Sequence, residues 1–389
     1  MKRWLCNKMT IKYTRFFLVG LFISLSGFAQ KDYKGIILDA NTKEPIPYVN
    51  IAIVEDRLGT VSNEEGIFHL EMNPVDFKGK KIQFSCLGYE TKEIHVESAE
   101  MIFNGYPRIL MKPYVHALEG ILLTDANGRF FNDEIGYRNY GNNIFGYWKE
   151  GTSLGAELAT RIKAKKGLRK LKTFEFEVWH TNLDSLLVRI NFYDVNRKKG
   201  GKPGVNLNKS RKNILFTITK NTKIAKIHLE SFNIYTENDF IASLELLEVF
   251  GEGDIELMLA GTLNTPGSFR RYTSMGQWER LSHSMAYHIS SDLFVEDGKY
   301  QRVENKAKRS ESKKSYITGF VLEMGRPVAN VKVSNTNTKA VVVTDANGRY
   351  KIEANRNDTL HFFKDGFKQA YKQVGNKPTL NANLYREAK

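Results

Sequence analysis

The side chains able to do chemistry in this chain are sparse, and their spacing argues against a catalytic centre. His116-Ala117-Leu118-Glu119 has the His-x-x-Glu spacing with which a ring nitrogen and a carboxylate ligate zinc, a distant histidine completing the set. Among 8 His and 43 acidic residues a chance match is expected, and His-Glu-x-x-His is absent. His283 and His288 are five apart, which on a strand puts them on opposite faces. No Gly-x-Ser-x-Gly elbow occurs, and Lys198 to Gly204 lacks the strand-to-helix setting of a phosphate loop. Asp194 and Asn196 have the look of a calcium loop, but Arg197, Lys198 and Lys199 oppose a divalent cation. The expectation is no catalytic residue, no metal and no cofactor.

Binding chemistry is better represented. Trp179-His180 and Tyr193-Asp194 sit near strand ends, and Arg270-Arg271-Tyr272 precedes Trp278. Aromatic faces stack on sugar rings while flanking polar groups bond the hydroxyls, so Trp179, Tyr193, Asp194, Arg270, Tyr272 and Trp278 are the candidate ligand-binding residues. The competing expectation is that Trp179 and Trp278 are packing residues. Cys86, in the strand-like Ile82 to Leu87, is expected to be a buried apolar side chain rather than a reactive thiol.

The elements that would carry these residues are strands. Thr173 to His180 alternates, with Phe174, Phe176 and Val178 on one face and Glu175 and Glu177 on the other. Leu187 to Tyr193 follows the same rule, and Ile214–Ile218, Ile241–Leu246 and Ile255–Leu259 continue the series. No ten-residue stretch has a capped helical period. Strand after strand at this spacing predicts a jelly-roll-like sandwich over 151–296.

The two ends repeat each other. Pro45 to Ile51 followed by Thr60 to Phe68 corresponds to Pro327 to Val333 followed by Val342 to Tyr350, with Pro45 and Pro327, and Gly66 and Gly348, at one offset. Gly66 and Gly348 each close a turn that favours φ > 0. Leu87-Gly88-Tyr89 and Asp365-Gly366-Phe367 follow in turn. The predicted modules are 30–112 and 316–389. Thr124 to Arg129 is identical to Thr344 to Arg349 but lacks the preceding strand, and is expected to be a coincident hairpin turn. Residues 113–150 are expected to form a joint. The stretch 297–315, basic and almost free of apolar residues, is expected to be a solvated linker.

Residues 1–29 have the form of an export signal: a basic start, the apolar run Phe16 to Leu25, and small Gly27 and Ala29 before Gln30. The run is too short for a membrane span, so no transmembrane segment is expected in the mature chain. The formal charge is +15, and without 1–29 there are 53 basic against 43 acidic residues, or +10, spread along the chain. Scattered charge on an exported chain points to anionic envelope surfaces rather than nucleic acid. With Cys6 in the leader, Cys86 has no disulfide partner.

The motifs Gly35 to Asp39, Glu44 to Ile51, Gly59 to Phe68 and Phe84 to Tyr89 resemble the carboxypeptidase regulatory-like domain. The third module resembles it with a shorter front and without the second proline. The resemblance implies a transthyretin-like, seven-stranded sandwich at each end. It also implies an envelope protein of the type frequent in Bacteroidota, with the regulatory module present but not the peptidase it accompanies elsewhere. Together these readings give an all-β chain, two regulatory-like sandwiches flanking a larger jelly-roll-like one. The expected role is that of a non-enzymatic, exported envelope protein, periplasmic or outer-membrane associated, that binds or scaffolds an envelope protein or glycan. A carbohydrate-binding middle sandwich is the alternative.

Overall fold

The computed structural model describes residues 31–114, 127–139, 144–148, 152–263, 265–297, 316–338, 340–375 and 377–387. The expected leader, the zinc-like His116 and Glu119, Thr124 to Ala126 and the basic stretch 298–315 lie outside these residues. The chain is nearly all β. Among the described residues no helix is long and apolar enough to cross a membrane.

In the first module, β1 (Lys31–Asp39), β4 (Ile67–Met72) and β7 (Arg108–Met111) form one sheet, ordered β4-β1-β7. The second sheet contains β2 (Asn50–Ile53), β3 (Gly59–Val61), β5 (Lys81–Ser85) and β6 (Lys92–His95), ordered β3-β2-β5-β6. β1 and β7 run parallel; the other pairings are antiparallel. Alternation drives the packing: Phe68, Leu70 and Met72 point inward and His69 and Glu71 outward. The rings of Phe68 and Phe84 meet edge to face at 5.7 Å.

The third module has the same topology. β23 (Tyr316–Glu323) pairs antiparallel with β27 (Arg349–Glu353) and parallel with β30 (Ala382–Asn383). Opposite lie β25 (Lys332–Asn335), β26 (Val341–Val343), β28 (Thr359–Phe363) and β29 (Ala370–Gln373), ordered β26-β25-β28-β29. The repeat extends to single atoms. Ser62 Oγ accepts from Val49 N at 2.8 Å, and Thr344 Oγ1 from Val331 N at 2.9 Å. Gly66 and Gly348 have φ of 72° and 70°. A Cβ at either would stand 2.8 or 2.7 Å from the carbonyl oxygen of Ile37 or Val321.

The middle sandwich is larger. One sheet orders β13 (Lys202–Asn206), β12 (Ser185–Asn196), β17 (Phe240–Phe250), β10 (Glu157–Ile162), β19 (Ser268–Arg271) and β20 (Glu279–Arg280). The other orders β21 (Ser284–Met285), β18 (Leu257–Thr262), β11 (Arg169–Thr181), β22 (His288–Glu296) and β8 (Gly128–Gly136), with β9 (Phe145–Trp148) on β18. The chain passes from sheet to sheet repeatedly, at β10, β11, β12, β18, β19 and β21 among others, as in double-sheet jelly rolls. Phe174, Phe176, Val188, Ile190, Phe192 and Leu244 fill the space between the sheets.

The stretch 113–150 is not only a joint. β8 pairs with β22 along its whole length and β9 pairs with β18, so both belong to the middle sandwich. The sequence hid β8 because it is an edge strand with no fully buried position. An edge strand without a buried face has no reason to alternate. Gly128 and Arg129, the end of the expected hairpin turn, are the first residues of this strand. One short helical turn, Ala99–Ile102, caps the first module's core.

Candidate functional site

The outward face of the sheet containing β12 and β17 carries a row of buried polar groups instead of a wet surface. Glu245 and Arg189 pair at 2.8 Å, and Arg189 also donates to Tyr48 O at 3.0 Å and Asn50 Oδ1 at 2.7 Å in the first module. Tyr48, Val61, Leu187 and Leu247 make an apolar patch beside it. Glu157 accepts from Ser243 Oγ at 2.9 Å and Tyr193 Oη at 3.1 Å, and is paired with Arg271. Burial pushes the Glu157 carboxyl up despite Arg271. Burial also opposes ionisation of Glu245, but Arg189 outweighs it and holds the group below the usual carboxylate range. Two carboxyls with opposed shifts could share acid and base roles in an open cleft. Here both are sealed from solvent, at 0% and 1% exposure, and Glu245, through Arg189, helps bolt the first module in place.

The candidate ligand residues divide among three places. Tyr193 and Trp278 meet edge to face at 6.3 Å, half-buried, and Arg271 stacks on Trp278 at 4.6 Å. Tyr272 lies between Arg57 and Arg270, at 4.4 and 4.9 Å, and Glu279 pairs with both guanidinium groups. It therefore fastens the first module. Asp194 is exposed and accepts from Val205 N at 2.6 Å, a loop contact within the β12–β13 hairpin. Trp179 stands on β11, in the other sheet, against Lys372 of the third module. Trp179 and Trp278 thus belong to different sheets and form no common platform. The Cys86 thiol packs beside the first core, and burial pushes its pKa up.

The outward face of β11 is likewise covered. Glu175 and Glu177 were expected to face water; the third module overlies them. Arg138 bonds Asn357 Oδ1 at 3.2 Å and Glu175 at 3.5 Å. His288 is 5% exposed, with Nδ1 2.7 Å from Arg138 and Nε2 3.0 Å from Glu134. Arg138 is also 3.1 Å from Nε2; since a guanidinium only donates and a carboxylate only accepts, the shorter Arg138 contact assigns the lone pair to Nδ1, and the proton on Nε2 faces Glu134. Burial pushes this ring's pKa down, Glu134 pulls it up and Arg138 pushes it down again, leaving it below the ordinary histidine value. Lys372 Nζ, on β29, lies 3.6 Å from Glu177 and 3.4 Å from Asn139 Oδ1. A cavity of about 20 Å³ remains among Arg138, Asn139, Glu175, Glu177 and His288. Among the described residues no group of three His, Cys, Asp or Glu is placed to hold a metal ion.

Sequence reasoning missed this cluster. Arg138 and Asn139 fell in the supposed joint, His288 was weighed only against His283, and Lys372 lay on a strand that was not foreseen. The alternation of β11, which aligns Glu175 and Glu177 on one face, was the usable signal.

A second open feature is a groove of about 660 Å³ on the third module, lined by Thr318, Phe320, Val342, Val343, Arg349 and Lys351 among others. It opens where β26 and β27 are both sheet edges.

Comparison with known proteins gives one family match and distant structural likenesses. No curated protein matches the chain. The cysteine protease and lectin-like domains of a surface layer associated protein of Clostridium difficile align at 12% identity and TM-score 0.27. That alignment covers 39% of this chain and 36% of that one, so the chain spans about a third of that structure. The major pilin subunit of Bacillus cereus aligns at 10% identity and TM-score 0.14, over 92% of this chain and 100% of the other. Infectious bursal disease virus, Gt strain, aligns at 10% identity and TM-score 0.22, over 71% and 67%. The family match falls on the first sandwich: a CarboxypepD_reg-like domain is found at residues 33–123.

Proposed function

We propose that this chain is an exported, non-enzymatic scaffold of the cell envelope that holds an extended segment of a partner protein at the edge of its third module. The observation that carries the reading is a difference between equivalent faces. Val61 of the first module is 4% exposed, because that face docks on the middle sandwich; its counterpart Val343 is 57% exposed. The third module docks through β29 instead, which leaves Val341, Val343 and Phe320 in the open. A strand added to the edge of β26 or β27 would gain main-chain hydrogen bonds, with side-chain pockets giving selectivity. Arg349 and Lys351 outnumber Asp345 on the groove wall, which favours acidic residues in that segment. The leader-like 1–29 supports export, and the basic balance suits an anionic envelope.

A photoreactive amino acid at Phe320, in the protein expressed in its own cells, tests this. A discrete adduct is expected in the envelope fraction, and Val343→Asp should abolish it while the protein stays folded. No adduct, or one that survives Val343→Asp, ends the proposal.

A further inference from the structure

Lys372 is an unusual residue for its position. Its cross-strand partner is Leu360, as Ile82 is the partner of Ile94 in the first module. Ile94 sits in the first module's core, but at the corresponding place the third module has a lysine that is 5% exposed and directed at the middle sandwich. Its amine meets three groups from that sandwich: the Glu177 carboxylate at 3.6 Å, the Asn139 carboxamide oxygen at 3.4 Å and the Trp179 ring at 4.5 Å.

We propose that Lys372 and Asn139 are joined by an intramolecular isopeptide bond that fastens the third module covalently to the middle sandwich, with Glu177 as the proton carrier. The Lys372 ammonium gives a proton to the Glu177 carboxylate, and the freed lone pair on Nζ attacks Cγ of Asn139. The carboxamide nitrogen takes that proton from Glu177 and leaves as ammonia with the electrons of its bond to Cγ, and Glu177 collects the second proton, which Nζ sheds as the new amide forms. One C–N bond forms and one breaks, nothing is oxidised or reduced, and no co-reactant is needed.

Four features favour the reaction. Asn139 Nδ2 donates to Ile144 O at 3.1 Å and Gly261 O at 2.8 Å, so the amide cannot turn and its oxygen faces Lys372. Its Cγ then lies within one C=O bond, about 1.2 Å, of an oxygen already in contact with the amine. That makes the reacting atoms neighbours, a short further approach from attack distance, and holding two groups together replaces a bimolecular encounter. Trp179 Nε1 donates to Glu177 at 2.8 Å and holds the carboxyl beside the amine. Burial raises the Glu177 pKa more than Lys372 and Trp179 lower it, which favours the proton on the carboxyl. The cavity of about 20 Å³ bordered by Asn139 and Glu177 has room for a departing molecule the size of water.

Mass spectrometry of the full folded chain decides the matter. The protein is expected to be lighter than its sequence by one ammonia, with Asn139 and Lys372 recovered in one branched tryptic peptide. Peptide identity excludes the equal loss that cyclisation of an N-terminal glutamine would give. Lys372→Arg, which keeps the charge beside Trp179, and Glu177→Gln should both fold and retain Asn139 and residue 372 in separate peptides. Recovery of the two residues in separate peptides from the wild type would show a non-covalent latch and overturn the proposal. A branched peptide in Glu177→Gln would overturn the assignment of Glu177.

Discussion

His288 shows how a single side chain in a seam ties stability to acidity. It faces Glu134, Arg138 and Glu175, with its Nδ1 accepting from a guanidinium. Protonating Nδ1 would set two donors against each other in a buried place. The folded pKa is below the unfolded one, so the stabilisation from this group is complete above the unfolded value of about 6.5 and is lost as pH falls through the folded value. Urea midpoints measured from about pH 7.5 down to about pH 5.5 should therefore fall, and His288→Gln should flatten that decline. Glu177, with a raised pKa, acts in the opposite sense, losing its contribution as pH rises above the ordinary carboxylate range. An undiminished slope in His288→Gln would assign the dependence elsewhere.

Turns and strands were the legible part of this molecule, because their signals are local. The alternating set Phe174, Phe176 and Val178, placed on one face by the sequence, is in the core. Gly66 and Gly348 were read as left-handed turns, and their φ values agree. The structure adds why the turns are so demanding: a carbonyl oxygen from the neighbouring strand occupies the space of a side chain. This separates two contributions. Gly325 also has positive φ, at 80°, but nothing lies within 4 Å of where a Cβ would be. Gly325→Ala should cost about 1 kcal/mol, the left-handed conformation alone. Gly348→Ala should cost measurably more, since backbone must move as well. Chemical denaturation compares the two directly, and equal losses would mean the turn relaxes freely. Elements without an inner face, such as β8, gave no periodic signal to read.

The seams between modules were illegible, because they join residues far apart in sequence that have no pattern of their own. Arg189 is 141 residues from Tyr48, and Lys372 is 233 from Asn139. A charged residue in an alternating strand looks the same whether water or another module covers it. The first seam nevertheless has a strong expected effect. Arg189→Met leaves Glu245 buried without its cation, a change that typically costs about 3–5 kcal/mol. It should also split a joint calorimetric transition into two, with the first module melting separately. Adding Glu245→Leu should restore much of the loss, since an apolar pair avoids the stranded charge. Failure of the double variant to recover would show that the hydrogen bonds from Arg189 to Tyr48 and Asn50 matter more than the charge.

The parallel pairing of β1 with β7, and of β23 with β30, has a mechanical consequence. Two adjacent strands that run the same way carry the chain in at one pole of a sandwich and out at the other, so tension between those ends slides the pair lengthwise. The four residue pairs from Ile36–Arg108 to Asp39–Met111 then bear the load together instead of opening one after another like a zipper. A body that links partners across a strained cell surface gains from a spacer built to resist pulling along this axis.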